Sequence, residues 1–276
     1  MINFHKYEGA GNDFIMINNL KSEISLKPDY IKSLCDRHFG IGADGLILLD
    51  TSDKADCFMN YYNSDGTIAE MCGNGVRCVA KFFLEQENSN LKELTIDTRA
   101  GIKKIICNND DTFSVNMGTP VFNHEDFPSG VLNLEGLTLE CVSMGNPHAV
   151  IQVDSLDNYN IGAMGPEIEN DYHFPNKINI EFVEKINDDY FKVKVWERVC
   201  GETLACGTGA CAVYAILVKS TSKNQEQISH RQGLGESINK EITLEFTGGK
   251  LYLSGNREGQ IILRGPAEFV FKGEIN

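Results

Sequence analysis

The chain has 276 residues, 42% of them hydrophobic, a length that suits two domains of ordinary size or one large one. Its 39 acidic side chains outweigh 25 Lys and Arg for a net charge of -14, which argues against nucleic acid and anionic membrane as partners. Met1 to Asn12 carries no long apolar run, so no signal peptide is expected, and no stretch approaches the ~20 apolar residues of a membrane helix. The nine cysteines are an odd number and form no C-x-x-C pair. Neither a zinc ribbon nor a thioredoxin-type redox site is expected, no metal is expected, and free thiols point to a reducing compartment, the cytoplasm.

In chain order, Pro28 to Phe39 reads as a helix: Pro28 suits the first turn, Ile31, Leu34 and Cys35 share a face, and Gly40 suits the stop. Leu46–Leu49, Cys57–Tyr62, Leu94–Thr98 and Thr112–Met117 read as strands. Val76–Leu84 reads as a buried helix, because Val76, Val79, Ala80 and Phe83 recur at helical spacing, and Ala210–Val218 reads likewise. Phe191–Trp196, Ile242–Phe246, Leu251–Leu253 and Ile261–Leu263 read as strands. The polar stretch Thr221 to Lys240 reads as an exposed loop.

An internal repeat organises these elements. Met71-Cys72-Gly73-Asn74-Gly75 resembles Ala205-Cys206-Gly207-Thr208-Gly209 at an offset of 134 residues. The same offset lays Gly11-Asn12 on Gly145-Asn146, each followed by a strand-like run, and Asn63 on Glu197. Both halves also end alike: Gly118-Thr119-Pro120 leads into Val121-Phe122, and Gly265-Pro266 into Phe269–Phe271. The expected fold class is α/β (α+β): two pseudo-symmetric domains, each a mostly antiparallel sheet wrapped around a central helix, with the active site in the cleft between them. The boundaries read as 1–118 plus 266–276 and 119–265.

In each half a cysteine precedes a Gly-x-Gly turn that opens a helix. A helix N-terminus offers unsatisfied N–H groups and partial positive charge, which hold a carboxylate and lower a thiol pKa from about 8.5 toward 7. Two such thiols facing one α-carbon can invert it: one, as thiolate, removes the proton, and the other, as thiol, returns one from the opposite face. Amides aimed at the carboxylate stabilise the charge that develops. Cys72 and Cys206 are assigned these roles. Cys35, Cys57, Cys78, Cys107, Cys141, Cys200 and Cys211 read as packing residues.

These motifs resemble the diaminopimelate epimerases over nearly the whole chain. The resemblance is carried by Gly11-Asn12-Asp13-Phe14, Asn63-Ser64-Asp65-Gly66, Met71 to Gly75, Gly145-Asn146-Pro147-His148, Glu197-Arg198 and Ala205 to Gly209. It implies cofactor-independent interconversion of LL- and meso-diaminopimelate, which serves lysine and peptidoglycan synthesis, with a final strand returning to the first domain. By this resemblance Cys72 takes the proton from the LL isomer and Cys206 from the meso isomer, while Gly73-Asn74 and Gly207-Thr208 hold the reacting carboxylate. Asn12, Asn63, Asn146, Asn179 and Arg198 recognise the substrate, and His148 and Glu197 support catalysis beside the cysteines and the reacting amine, where Glu197 also meets substrate. The implied partner is small-molecule substrate, and a homodimer is an assembly open to it. At Gly45 the chain departs from members that carry Gln, which puts a side-chain contact there in doubt.

Other readings rank lower. Gly40 to Gly45 fits G-x-G-x-x-G, but in the order helix, loop, strand rather than the strand, loop, helix of a dinucleotide site. A proline-racemase-like enzyme would commonly carry His where this chain has Asn74. A thiol redox or binding protein would need a functional Cys72–Cys206 disulfide.

Overall fold

The computed structural model describes residues 1–134, 136–228 and 240–275. Backbone contacts divide the chain into two compact units, Met1–Asn116 with Arg264–Asn276, and Met117–Leu263.

The first unit opens with a hairpin, β1 (Ile2–Gly9) and β2 (Asn12–Asn18), paired Gly9 to Asn12. The turn residues Ala10 and Gly11 both have positive φ, the geometry of the two-residue turn that matches strand twist. Helix α1 (Pro28–Cys35) follows, with β3 (Gly45–Asp50), β4 (Cys57–Asn63), α2 (Gly73–Gln86), β5 (Glu93–Asp97), β6 (Lys103–Cys107) and β7 (Phe113–Gly118). β2 and β3 run parallel, and β3 and β4 antiparallel. Helix α1 covers one face through Ile31, Leu34 and Cys35, which pack with Phe4, Ile15, Ile17, Leu46 and Leu48. Helix α2 lies against β1 through β5. Its Val76, Cys78, Val79, Ala80 and Phe82 are all buried, so the sheet wraps around it.

The second unit holds β8 (Val131–Leu134), β9 (Leu137–Ser143), β10 (Pro147–Val153), α3 (Ile161–Glu169), β11 (Asn179–Lys185), β12 (Tyr190–Glu197), β13 (Gly201–Thr203), α4 (Gly207–Ile228), β14 (Ile242–Phe246), β15 (Gly249–Gly255) and β16 (Ile261–Gly265). Helix α4 lies against β9, β10, β11 and β15, with Ala210 through Ile216 buried. The last strand, β17 (Glu268–Ile275), returns to the first unit and pairs with β1.

The two units repeat each other down to strand register. Phe14 pairs with Gly45 across β2 and β3; adding 134 gives His148 and Asn179, which pair across β10 and β11. Leu46 opposite Tyr62 becomes Ile180 opposite Trp196. Most pairings are antiparallel, as the sequence leads one to expect; the parallel ones include β2–β3, β4–β5, β10–β11 and β12–β14. Among the described residues no helix is long and apolar enough to cross a membrane.

Several boundaries differ from the sequence reading. Helix α1 stops at Cys35, four residues short of Phe39. Asp36 Oδ1 accepts the N–H groups of His38 and Phe39, and the chain folds back so that Ile41 and Gly42 donate to the Leu34 carbonyl and Ala43 to that of Cys35. Local side-chain bonds thus end the helix, and Gly40 serves the return: a Cβ there would lie 2.1 Å from the Ser33 carbonyl oxygen. Helices α2 and α4 begin directly after the cysteines, so the Gly-x-Gly segments are helix first turns rather than separate loops. Helix α4 runs on to Ile228 through part of the stretch expected to be loop, since polar residues without Gly or Pro still propagate a helix; residues 229–239 lie outside the described ones. Val121 makes an isolated bridge to Ser143 rather than a strand with Phe122. Helix α3, not foreseen, contains Pro166 and two glycines; Gly165 sits flush on the Trp196 ring, and Asn160 caps the helix by accepting from Ala163.

Candidate active site

In the first unit Cys72 is the extended residue immediately before α2, and its sulfur accepts the Gly75 N–H at 3.5 Å. The half-buried Cys72 thiol donates to Asn12 Oδ1 at 3.3 Å. The Asn12 amide donates in turn to Asp44 Oδ2 at 2.8 Å. Asp44 belongs to a charged cluster: Arg37 reaches Asp44 Oδ1 and Asp13 Oδ1, each at 2.7 Å, and Lys6 lies 2.7 Å from Asp13 Oδ2. Burial would raise the Asp13 carboxyl, but the hydrogen bonds from Arg37 and Lys6 outweigh it and hold it down to about 2. This cluster fixes the hairpin turn that carries Asn12.

Asn74 is buried and accepts Arg77 Nη2 at 3.0 Å. Arg77, fully buried inside α2, also donates to the carbonyls of Gly73 at 3.0 Å and Pro266 at 3.1 Å. It braces the first turn of the helix from below. Asn63 closes a turn at the end of β4, its amide donating to Thr67 Oγ1 at 3.0 Å and its backbone N–H to the Thr67 carbonyl.

In the second unit Cys206 stands where Cys72 does, before α4, with the Gly209 N–H on its sulfur at 3.4 Å and Thr208 Oγ1 also at 3.4 Å. It is almost fully buried, with the Glu197 carboxyl near enough to act on it electrostatically. Thr203 Oγ1 donates to Glu197 Oε1 at 2.5 Å. Burial pushes the Glu197 carboxyl up, against the lowering influence of the Thr203 hydroxyl, the Cys206 thiol and the nearby His148. The Cys206 thiol is raised well above its ordinary value, by burial first and then by Glu197 and Glu181, against the pull of Thr208 and Gly209. The helix N-terminus was expected to lower this thiol; desolvation and two carboxylates overcome it.

His148 is fully buried, Nδ1 lying 2.7 Å from Glu181 Oε1 and Nε2 3.0 Å from Asn146 Oδ1. Asn179 is buried too: its amide nitrogen donates to the Pro147 carbonyl at 2.8 Å, and its oxygen accepts the Arg198 N–H at 3.0 Å. Its side chain is therefore occupied in holding β10 to the end of β12. Arg198 Nη1 donates to the Asn176 carbonyl at 3.0 Å. Glu169, at the end of α3, accepts Trp196 Nε1 at 2.8 Å and the Val199 N–H at 3.0 Å, so the turn bearing Arg198 is pinned on both sides.

Each unit thus presents a cysteine at a helix N-terminus with glycine amides beside it. The family model described as diaminopimelate epimerase matches residues 4–123 and 140–270. The chain belongs to the diaminopimelate epimerase family. The diaminopimelate epimerase of Leptospira biflexa is 37% identical over 291 residues, spanning 99% of each chain. That of Carboxydothermus hydrogenoformans is 41% identical over 284 residues, 98% of each. A Bacillus anthracis phenazine biosynthesis protein of the PhzF family shares the fold, with a TM-score of 0.69 at 19% identity and coverage of 100% of this chain and 99% of its own. As a member of the epimerase family, the chain is an isomerase that works without pyridoxal phosphate.

Three functional neighbours escaped the sequence reading of this epimerase: Glu181, Arg77 and Asp44. For all three a signal existed. At the offset of 134, Glu181 falls opposite Ile47 and Arg77 opposite Cys211, so each is a charge at a position where the sister half is apolar. Asp44 likewise falls opposite the buried Ile178, although only the fold shows that it reaches Asn12.

Proposed function

We propose that this epimerase interconverts LL- and meso-2,6-diaminopimelate by proton transfer between Cys72 and Cys206, in the service of lysine and peptidoglycan precursor synthesis, and without a cofactor. The observation that carries this reading is the matched placement of the two sulfurs, each against the amide of the third residue on, Gly75 and Gly209. In the LL-to-meso direction Cys72, as thiolate, takes the α-proton, the amides of Gly73-Asn74 and Gly207-Thr208 hold the carboxylate as charge builds on it, and the Cys206 thiol delivers a proton to the other face. The Cys206 thiol, raised by burial and by the nearby Glu197, supports the acid role, since a thiol held protonated near neutral pH has a proton to donate. In the reverse direction the roles exchange, and Glu197 and His148 assist at the reacting centre.

Asn12, Asn63, Asn146, Asn179 and Arg198 are assigned to recognition of the substrate, Asn179 through the Arg198 backbone it holds. Arg198 can grip a carboxylate with two parallel hydrogen bonds. The nine free thiols support a cytoplasmic setting. A homodimer is the assembly favoured, on the strength of Phe269, Val270 and Phe271 exposed along β17.

The test is proton NMR of the reduced enzyme with LL-diaminopimelate in D2O, no cofactor added, and proline in a parallel tube. The expected result is loss of the α-proton signal with appearance of the meso isomer, and no exchange of proline. Cys72→Ala and Cys206→Ala should each abolish epimerisation. Full turnover by either variant, or exchange of proline alone, would overturn the assignment.

A further inference from the structure

The two units share a backbone plan, so positions related by 134 residues are internal controls for one another. In the first unit Phe14 on β2 and Ile47 on β3 are both fully buried, and Ile47 reaches the first turn of α2 at Gly75. Met16 pairs with Ile47, as Val150 pairs with Glu181 in the second unit. The counterparts of Phe14 and Ile47 are therefore His148 and Glu181, equally buried, with Nδ1 and Oε1 2.7 Å apart. An apolar pair satisfies the fold at this position. A buried imidazole and carboxylate there cost desolvation that the fold does not require.

The carboxylate is pressed against the catalytic turn. A Cβ on Gly209 would lie 2.5 Å from Glu181 Oε1, whereas the nearest atoms to one on Gly75 would be the apolar ends of Met59 and Ile47, at 2.9 and 3.3 Å. Glu181 Oε2 is buried and has no hydrogen-bond partner among the described residues. The other titratable groups acting on this locus are Cys206, Glu197 from β12, and Cys141 from β9.

We propose that Glu181 is a positioning residue, whose carboxylate keeps a proton on His148 Nδ1 and so leaves Nε2, beside Asn146, as the nitrogen that exchanges protons during turnover. An ionised carboxylate only accepts, so a 2.7 Å contact to Nδ1 places the proton on that nitrogen. Nε2 lies 3.0 Å from Asn146 Oδ1, an acceptor, so in this contact Nε2 donates, and the proton it presents on the side of the Gly145-Asn146 turn is the one His148 can give up. A buried partner that fixes tautomer and ring orientation is the way a histidine is held ready at a reacting centre.

The activity arm of the test rests on the epimerase reading; the spectroscopic arm does not. Long-range nitrogen–proton NMR of ¹⁵N-histidine-labelled protein, with the His148 signals assigned by their loss in His148→Gln, reads the tautomer directly. The wild type should carry a proton on His148 Nδ1. Glu181→Gln should shift the population toward the Nε2–H form and lower kcat by about 10- to 100-fold with KM nearly unchanged, the scale typical of losing such a partner. Glu181→Asp should restore both in part. A wild-type Nδ1 without a proton, or Glu181→Gln with unaltered tautomer and kcat, would overturn the proposal. The double variant His148→Phe with Glu181→Ile copies the pair of the first unit. It should fold at least as stably as the wild type and lose turnover; failure to fold would make the pair structural and overturn the proposal as well. Were the wild type silent toward diaminopimelate, the substrate reading alone would fall, and the tautomer would still decide the role of Glu181.

Discussion

At the scale of single residues, the matched helix-opening glycines Gly75 and Gly209 have different neighbours in the two units. Gly75 borders the flexible end of Met59, which can shift to admit a methyl group. Gly209 borders a carboxylate oxygen tied to His148. We therefore expect Gly209→Ala to cost about 1–3 kcal/mol through overpacking. Gly75→Ala should stay within about 1 kcal/mol of wild type, because alanine's higher helix propensity offsets the crowding. Urea unfolding of the two variants side by side checks this, and equal losses would contradict it. The same contrast explains why Cys72 and Cys206 were legible and Glu181 was not. A Cys-Gly-x-Gly segment is visible as a string, whereas Glu181 in Asn179-Ile180-Glu181-Phe182-Val183 stands out only against Ile47 in the sister half, and its role shows only once His148 is placed 2.7 Å away.

At the scale of elements, periodicity located the helices but not their ends. The apolar recurrence in Val76–Leu84 identified α2, yet the helix starts at Gly73, because Cys72 caps it and its carbonyl receives the Val76 N–H. Glycines lack an apolar side chain to announce a helical turn. What holds that turn is Arg77, which links α2 to the carbonyl of Pro266 ahead of β17. Arg77→Met should leave these acceptors short of a donor and cost about 3 kcal/mol, with loss of the Asn74 brace impairing turnover as well. A denaturant midpoint unchanged from wild type would show that the guanidinium is dispensable. The strands were read within a residue or two wherever alternation was clear, as for Ile242–Phe246. Helix α3 went unseen because Gly162, Gly165 and Pro166 read as breakers. In the fold the missing side chain of Gly165 is what lets Trp196 pack against the helix.

At the scale of the whole molecule, buried thiols give the stability a distinct alkaline limit. Burial raises Cys35 from its ordinary 9.0 to about 11, and Cys57 and Cys141 to about 12. A group whose folded pKa lies above its unfolded one adds stability that is complete below the unfolded value and is lost as pH rises toward the folded one. The urea midpoint measured under reducing conditions should therefore hold up to about pH 9 and fall steadily between 9 and 12. A midpoint that rose through this window would contradict the assignment of these cysteines to packing.

The sequence by itself determined the duplication, the two cysteine turns and the class of chemistry, because these lie in short contiguous strings and in one repeated offset that survives without coordinates. It also determined the acidic balance of the chain and its lack of an apolar run long enough for a membrane helix, since both are read directly from the residues. Tertiary structure alone decided how the two halves differ. Asp44 reaches Asn12 across the β2–β3 pairing, and Glu181 reaches His148 across β10–β11. The Cys206 thiol is raised where a helix terminus alone would lower it. The two contacts depend on strand register between residues some thirty positions apart and the thiol on burial, and the free energy of a charge is set by what surrounds it rather than by what adjoins it in the chain.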